Sequence, residues 1–193
     1  RVELEPDSFG AWLRGLPLAS PTTPVRAHDG RQLYGLDDPR IAAVTTLDVG
    51  ARDLQQCADV VMRLHAEWRW HLGRVDDLAY PSGGGLIPWG RYLGGQTPVA
   101  EGSSFRWRGG RPREPTHAHF RRYLDQVFSW ANTVSLGRHA SRPPPEEVRP
   151  GDFFVLPGSP GHTVLVLDLA RAADGRTVAL IGQSYMPAQR FQV

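Results

Sequence analysis

The sequence predicts an α+β fold in which an N-terminal helix carrying the single cysteine packs on a small antiparallel sheet, with a long glycine-rich insertion between them. The segment after Asp53 has apolar residues at spacings of three and four, the pattern of an amphipathic helix. The C-terminal part has three short apolar runs separated by turn residues, which is typical of an antiparallel meander. Gly and Pro supply 21 and 17 of the 193 residues and cluster between these parts. We therefore expect one α+β domain over residues 1–193, with residues 73–145 as an insertion or cap.

The N-terminal segment is predicted to contain a short helix and a strand. Asp7 or Ser8 can cap the helix, and Pro17 ends it. Residues 41–49 are apolar and β-branched enough to form a strand, and a glycine then interrupts the pattern.

The main helix is predicted to begin at Asp53 as its N-cap and to stop at Gly73. One apolar stripe is formed by Leu54, Cys57, Val61, Leu64, Trp68 and Leu72. Cys57 then lies about one turn inside the helix, where unpaired N–H groups and the helix dipole favour a thiolate nucleophile with a lowered pKa. Because Cys57 is also part of the apolar stripe, a buried structural cysteine is the alternative.

The insertion is predicted to combine a long loop with a second long helix. Residues 80–115 show no sustained period and indicate a loop with an aromatic contact surface. The second helix runs from about residue 116 to residue 136, and three consecutive prolines at 143–145 form a stiff connector after it. If the loop binds a ligand, the contacts are expected from Trp89, Tyr92, Trp107, Arg106 and Arg108. Core packing of these aromatic residues is the alternative.

Composition and motifs argue against several classes of function. A net charge of +2 gives no support for a nucleic-acid partner, and no apolar run approaches the roughly 20 residues of a membrane span. There is no phosphate-binding loop and no dinucleotide fingerprint, so no cofactor is expected. His117 and His119 are two residues apart near a helix start, which is a poor chelate, and no metal site is expected.

A thiol nucleophile needs a general base, and His162 is the best placed of the seven histidines. It follows Gly161 at the start of an apolar strand. On a hairpin closed by the turn AADG, strand register brings it opposite Gln183, Ser184 or Tyr185. The Gln183 amide oxygen can fix the imidazole tautomer. Oxyanion donors and other support are expected from Asp53, Gln55, Gln56, Ser184 and Tyr185.

Three stretches, DLQQCADVVMRLHAEW, PGSPGHTVLVLD and QSYMPAQ, resemble an uncharacterised bacterial family of secreted or lipoprotein type. The resemblance extends from SFGAWLRGLPL to QSYMPAQ and implies a cell-envelope or extracellular location, but no known reaction. The motif residues of that family are Asp53, Gln55, Gln56, Cys57, Asp59, Gly161, His162, Gln183, Ser184, Tyr185, Pro187 and Gln189.

A looser resemblance joins the cysteine at a helix start, RPGDFFVL and GHTVLVLD to papain-like cell-wall cysteine peptidases of the NlpC and amidase types. It implies a papain-like fold with Cys57 as nucleophile, His162 as base and Gln183 as third member. The sequence departs from that pattern because Asp-Cys-Ser is absent around the cysteine and the third residue is Gln. About a hundred residues also separate Cys57 from His162, a spacing that an insertion explains.

Two functions of different classes follow. The first is a thiol hydrolase that cleaves an amide bond in a peptide or in peptidoglycan through Cys57, His162 and Gln183. The second is a non-catalytic envelope binding module that holds a glycan or protein partner with the aromatic and arginine-rich loop, with Cys57 in the core.

Overall fold

The computed structural model describes residues 1–35 and 37–193, and it has a mixed α+β fold. The helices are α1 (Phe9–Leu13), α2 (Cys57–His71), α3 (Trp89–Leu93), α4 (His117–Trp130) and α5 (Thr133–His139), with a 3₁₀ turn at Pro145–Glu147. The strands are β1 (Val25–Arg26), β2 (Gln32–Tyr34), β3 (Ala79–Ser82), β4 (Gly85–Pro88), β5 (Thr97–Glu101), β6 (Ser104–Arg108), β7 (Phe153–Leu156), β8 (His162–Arg171) and β9 (Thr177–Gly182).

The C-terminal sheet is an antiparallel meander in the order β7-β8-β9, as the sequence predicts. Leu156 pairs with His162 at one side of β8, and Leu165 pairs with Gly182 at the other. A bulge between Val166 and Asp168 shifts the β8–β9 register. The start of β8 and the end of β9 therefore lie next to each other at the same end of the sheet.

Helix α2 packs between this sheet and the insertion. Val60, Val61 and Leu64 form one apolar cluster with Leu165 and Leu167 of β8. The opposite side of the helix contributes Ala58, Met62 and Ala66 to a second cluster, built largely from β3, β4, α3 and α4. Because both sides of the helix are buried, its N-terminal end is held in place on both sides.

Helix α2 begins at Cys57 with Gln56 as its N-cap, so the predicted start at Asp53 is wrong. The Asp59 carboxylate accepts the Gln56 backbone N–H at 3.1 Å and completes a capping box. Asp53 does not cap the helix because its carboxylate accepts the backbone N–H of Ala188 at 2.6 Å. Cys57 is consequently the first residue of the helix, not one turn inside it.

The insertion is more regular than the sequence predicts. Residues 80–115 contain the hairpins β3–β4 and β5–β6 with α3 between them, so the long loop is a wrong prediction. The predicted helix over 116–136 is broken at Ala131 and Asn132. The Asn132 side chain accepts the Ser135 N–H at 2.9 Å and starts α5 as a new helix.

The N-terminal helix is confirmed, with Ser8 as its cap. Residues 41–49 do not form the predicted strand. Instead, isolated antiparallel β-bridges join Thr45 to Leu18 in the N-terminal segment and Val44 to Gln192 near the C-terminus.

Candidate active site

A small cleft opens where the N-terminus of α2 meets the break between α4 and α5 and the loop that precedes β8. Its volume is about 210 Å³. It is lined by Asp53, Leu54, Gln56, Cys57, Ala58, Asp59, Phe128, Ala131, Asn132, Thr133, Gly158, Ser159, Pro160, Gly161 and Met186. Typical ligand pockets measure about 300–1,000 Å³, so this cleft accommodates one short group rather than a large ligand.

The Cys57 thiol lies at this cleft and is almost fully buried, with 9% of the residue exposed. Burial raises the pKa of the thiol above its usual value, and Asp59, at a pH where it is ionised, acts in the same direction. The backbone N–H groups of Ala58, Thr163 and Cys57 itself approach the sulfur and lower the pKa, but by less than burial raises it. The resting group is therefore a thiol, in contrast to the lowered pKa expected from the sequence.

His162 and Gln183 are joined by a hydrogen bond of 2.8 Å between Nε2 and the amide oxygen Oε1. Because an amide oxygen only accepts hydrogen bonds, Nε2 carries the proton. The lone pair of the neutral ring is then on Nδ1, the form that a general base requires. Tyr185 stacks on the imidazole, with ring centroids 4.3 Å apart and an interplanar angle of 18°, and this contact restricts the ring further.

Cys57 approaches the corner of the sheet where β8 begins. The Cys57 sulfur lies against the backbone N–H of Thr163, the residue that directly follows His162. Gln183 reaches the same corner from the end of β9. The sulfur therefore approaches the β8 backbone one residue after His162, and the His162–Gln183 pair forms at the same end of the sheet.

A second tie holds the segment after β9 to the start of α2. Asp53 Oδ1 accepts from the Ala188 N–H at 2.6 Å and from Gln56 Nε2 at 3.1 Å. The hydrogen bond from Ala188 is the main reason that the pKa of Asp53 is lowered. Ser184 is fully buried, and its hydroxyl donates to the carbonyl of Gln189 at 2.9 Å, a contact that shapes this segment.

Gln55 is not placed to stabilise an oxyanion. Its side chain is buried, donates to the Asp48 carbonyl at 3.2 Å and accepts from Arg63 at 2.9 Å. These bonds hold the segment before Cys57 in place. Gln56 lines the cleft, but its amide N–H already donates to Asp53.

Two of the three aromatic residues predicted to bind a ligand are buried in the core. Trp89 and Tyr92 are 1% and 5% exposed and pack in the core around α4, so they present no stacking face. Trp107 is half-buried beneath the Arg91 guanidinium, 4.7 Å from the ring centroid. Arg106 and Arg108 are exposed on β6, and Arg106 lies 3.4 Å from the Glu101 carboxylate.

Asp59 also lies at the site, although the sequence predicts no role for it. It is 6% exposed, lines the cleft next to Cys57, and burial raises its pKa to about 8. Oδ2 accepts the Gln56 N–H, while Oδ1 has no hydrogen-bond partner within residues 1–35 and 37–193. The available signal is an acidic residue within an otherwise apolar helical run, two positions after the cysteine.

Gly161 allows the loop before β8 to pack closely on α5. A Cβ atom at this position would overlap Thr133 Oγ1 and approach the Leu156 carbonyl oxygen to 2.9 Å. Thr133 Oγ1 also bonds the carbonyl and the N–H of Gly158, each at 3.3 Å. Thr133 is thus a further residue of the cleft wall that sequence spacing does not indicate.

The fold and site define an α+β protein with a buried thiol at a cleft and a hydrogen-bonded histidine–glutamine pair at the start of β8. The chain belongs to the family described as DUF4846, domain of unknown function (4846), whose family model matches residues 1–193. Comparison with curated proteins and with solved structures gives no significant match. Over the described residues, no helix is long and apolar enough to cross a membrane, and no group of three or more His, Cys, Asp or Glu is placed to hold a metal ion.

Proposed function

We propose that this protein is a thiol hydrolase that cleaves an amide bond, with Cys57 as nucleophile, His162 as general base and Gln183 as the residue that orients the base. The observation that carries the proposal is the 2.8 Å hydrogen bond between His162 and Gln183, one residue from the backbone N–H that contacts the Cys57 sulfur. The nucleophile, the base and the group orienting the base are the parts that cysteine-based acyl transfer requires.

The reaction begins with a neutral thiol and a neutral imidazole. Cys57 Sγ attacks the carbonyl carbon while its proton passes to His162 Nδ1. The amide C–N bond then breaks, and Nδ1 returns the proton to the leaving amine. Water attacks the resulting thioester with Nδ1 as base, which releases the carboxylic acid and restores the thiol. The backbone N–H groups at the start of α2 contribute positive potential where the carbonyl oxygen becomes negative.

The substrate we propose is the peptide part of peptidoglycan or a related peptide, and the proposed location is the bacterial cell envelope. The size of the cleft supports a peptide, because about 210 Å³ admits a short group next to the thiol. The resemblance to cell-wall peptidases of the NlpC and amidase types supports the same substrate class. A papain-like relation is part of this proposal, supported by the packing of the Cys57 helix on the antiparallel sheet.

The binding-module alternative has less support. Of the three rings expected to stack on a ligand, Trp89 and Tyr92 are in the core, and one face of Trp107 is covered by Arg91. Exposed Arg106 and Arg108 remain, and two arginines on one hairpin are common on solvated surfaces.

The test combines thiol labelling with digestion of purified peptidoglycan. Cys57 is the sole cysteine of the chain, so iodoacetamide incorporation measured by mass spectrometry reports on this residue alone. Wild type, Cys57→Ala, His162→Ala and Gln183→Ala are compared, and products are identified as new amine and carboxylate ends. Circular dichroism and urea unfolding show that each variant is folded.

We expect Cys57→Ala to abolish cleavage and His162→Ala to lower kcat about 10²–10⁴-fold. Gln183→Ala is expected to lower kcat roughly tenfold to a hundredfold, since an unpaired polar group costs about 1–3 kcal/mol. Cleavage by Cys57→Ala at the wild-type rate contradicts the proposal. So does a wild-type protein whose Cys57 resists iodoacetamide and which releases no product.

A further inference from the structure

One polar atom at the cleft is left without a partner. Asp59 Oδ1 has less than 1 Å² of solvent contact and, in the part of the chain that the structure describes, no hydrogen bond. Leaving a buried polar atom unpaired costs about 1–3 kcal/mol. The other carboxylate oxygen, Oδ2, is held by the Gln56 N–H at 3.1 Å, so the side chain is fixed with Oδ1 as the free end.

The surroundings of Asp59 favour the neutral carboxylic acid. The ionisable residues that line the cleft are Asp53, Cys57 and Asp59. Neither the α4–α5 side, from Phe128 to Thr133, nor the loop 158–161 contributes a basic lining residue. Burial without a cation raises the pKa of Asp59 to about 8.

The position of the proton follows from the hydrogen bonds. Oδ2 accepts from the Gln56 backbone, and the carbonyl oxygen of a neutral carboxylic acid is a stronger acceptor than its hydroxyl oxygen. The proton of the neutral acid is therefore on Oδ1, which makes Oδ1–H a hydrogen-bond donor beside Cys57. Buried neutral aspartic acids that donate to a developing oxyanion are a known device in enzyme sites.

The glutamine side chains at the start of α2 take part in structural hydrogen bonds. Gln55 is buried and bonds to Arg63 and Asp48, and the Gln56 amide donates one of its two N–H groups to Asp53. The Ala58 and Thr163 amides approach the sulfur of the nucleophile.

We propose that Asp59 is a catalytic residue that, as a neutral acid, donates a hydrogen bond from Oδ1 to the substrate carbonyl oxygen as it becomes negative. This inference rests on the proposed function of Cys57. When Sγ bonds to the carbonyl carbon, the carbon–oxygen π electrons move to the oxygen and the thiol proton goes to His162. Asp59 keeps its proton and stabilises the new negative charge through the hydrogen bond.

The test uses the peptide aldehyde acetyl-alanyl-alaninal as a probe of this tetrahedral state. The Cys57 thiol adds to the aldehyde carbonyl to give a hemithioacetal, and the oxygen of the adduct occupies the oxyanion position. Affinity is measured by ¹³C NMR of the labelled aldehyde carbon between about pH 6 and about pH 9.5. The proteins are wild type, Asp59→Asn, Asp59→Ala, Asp53→Asn and Cys57→Ala.

Asp59→Ala is expected to weaken adduct formation about a hundredfold, the loss typical of one oxyanion donor. Wild-type affinity is expected to fall above pH 8, where Asp59 loses its proton. Asp59→Asn keeps a neutral N–H donor, so we expect affinity within about tenfold of wild type and no fall above pH 8. Asp53→Asn is the matched control, because Asp53 also lines the cleft but already has a lowered pKa, and its substitution leaves the fall in place.

The outcomes distinguish failure of the proposed hydrolase from failure of the proposed role of Asp59 alone. If wild type forms no adduct, the proposed hydrolase and the role of Asp59 both fail. If wild type forms an adduct that Cys57→Ala does not, but Asp59→Ala matches wild type in affinity, only the role of Asp59 is overturned. A fall above pH 8 that persists in Asp59→Asn overturns it as well.

Discussion

Replacing Arg63 with Met is expected to destabilise the protein strongly, because two buried or half-buried groups each lose the Arg63 guanidinium as a hydrogen-bond donor. The Arg63 side chain is 5% exposed, and it donates to Glu67 at 2.7 Å and to Gln55 at 2.9 Å. Met has a similar length but no donors, so the Glu67 carboxylate and the buried Gln55 amide each lose a partner. Breaking a buried ion pair from one side costs about 3–5 kcal/mol. A domain of ordinary stability has about 5–15 kcal/mol in total.

The assay is urea unfolding followed by tryptophan fluorescence, for which the chain offers six tryptophans. Arg52→Met is the matched control, because Arg52 is 57% exposed in its pair with Asp125, and such pairs contribute about 1 kcal/mol or less. The double variant Arg63→Met with Glu67→Met is expected to recover part of the lost stability, since it also removes the Glu67 carboxylate that no longer has Arg63 as its partner. A loss below about 1 kcal/mol in Arg63→Met refutes the reasoning, as does a double variant no more stable than the single one.

Three further predictions concern the cleft. Absorbance titration at 240 nm should place the pKa of the Cys57 thiol above the usual value for a cysteine, because burial is the dominant influence; a pKa below about 7 contradicts this. Gly161→Ala should lower stability by roughly 1–3 kcal/mol because its Cβ meets Thr133 and the Leu156 carbonyl, whereas Gly83→Ala, with open space around it, should change it little. Burial raises the pKa of Asp59 from 3.8, the ordinary value expected in the unfolded chain, to about 8, so between these values the folded state binds an extra proton and stability falls as pH rises. Asp59→Asn should remove that part of the decline, and parallel stability–pH curves for the two proteins contradict it.

Short-range patterns predicted the parts of the fold that depend on local sequence. The β7–β9 meander follows from apolar runs separated by turns, and α1 follows from Ser8 as its cap. The start of α2 was misassigned because Asp53 and Gln56 are both able to cap a helix, and a hydrogen bond from Ala188, 135 residues away, commits Asp53 to another contact. Tertiary partners of this kind have no local signal.

The hairpins of the insertion were missed for a different reason. Strands β3 to β6 are four or five residues long, and β3, β4 and β5 contain Gly or Pro, so their alternation is too brief to distinguish from a loop. The break in the predicted helix over 116–136 depends on Asn132, whose capping bond to Ser135 outweighs continued helix formation. Burial of Trp89 follows from the packing of this insertion on α4, which periodicity does not show.

The raised pKa of Cys57 bears directly on how the proposed site works. A thiol with a lowered pKa is ionised at rest but is intrinsically a weaker nucleophile, whereas a thiol with a higher pKa gives a stronger nucleophile once it is deprotonated. Burial places Cys57 in the second class, so in the mechanism that we propose His162 removes the thiol proton during the attack. The tautomer set by Gln183 supplies the required lone pair on Nδ1. In this arrangement the hydrogen bond between His162 and Gln183 controls the reactivity of the thiol, and substitutions that disturb it affect the chemistry while leaving Cys57 in place.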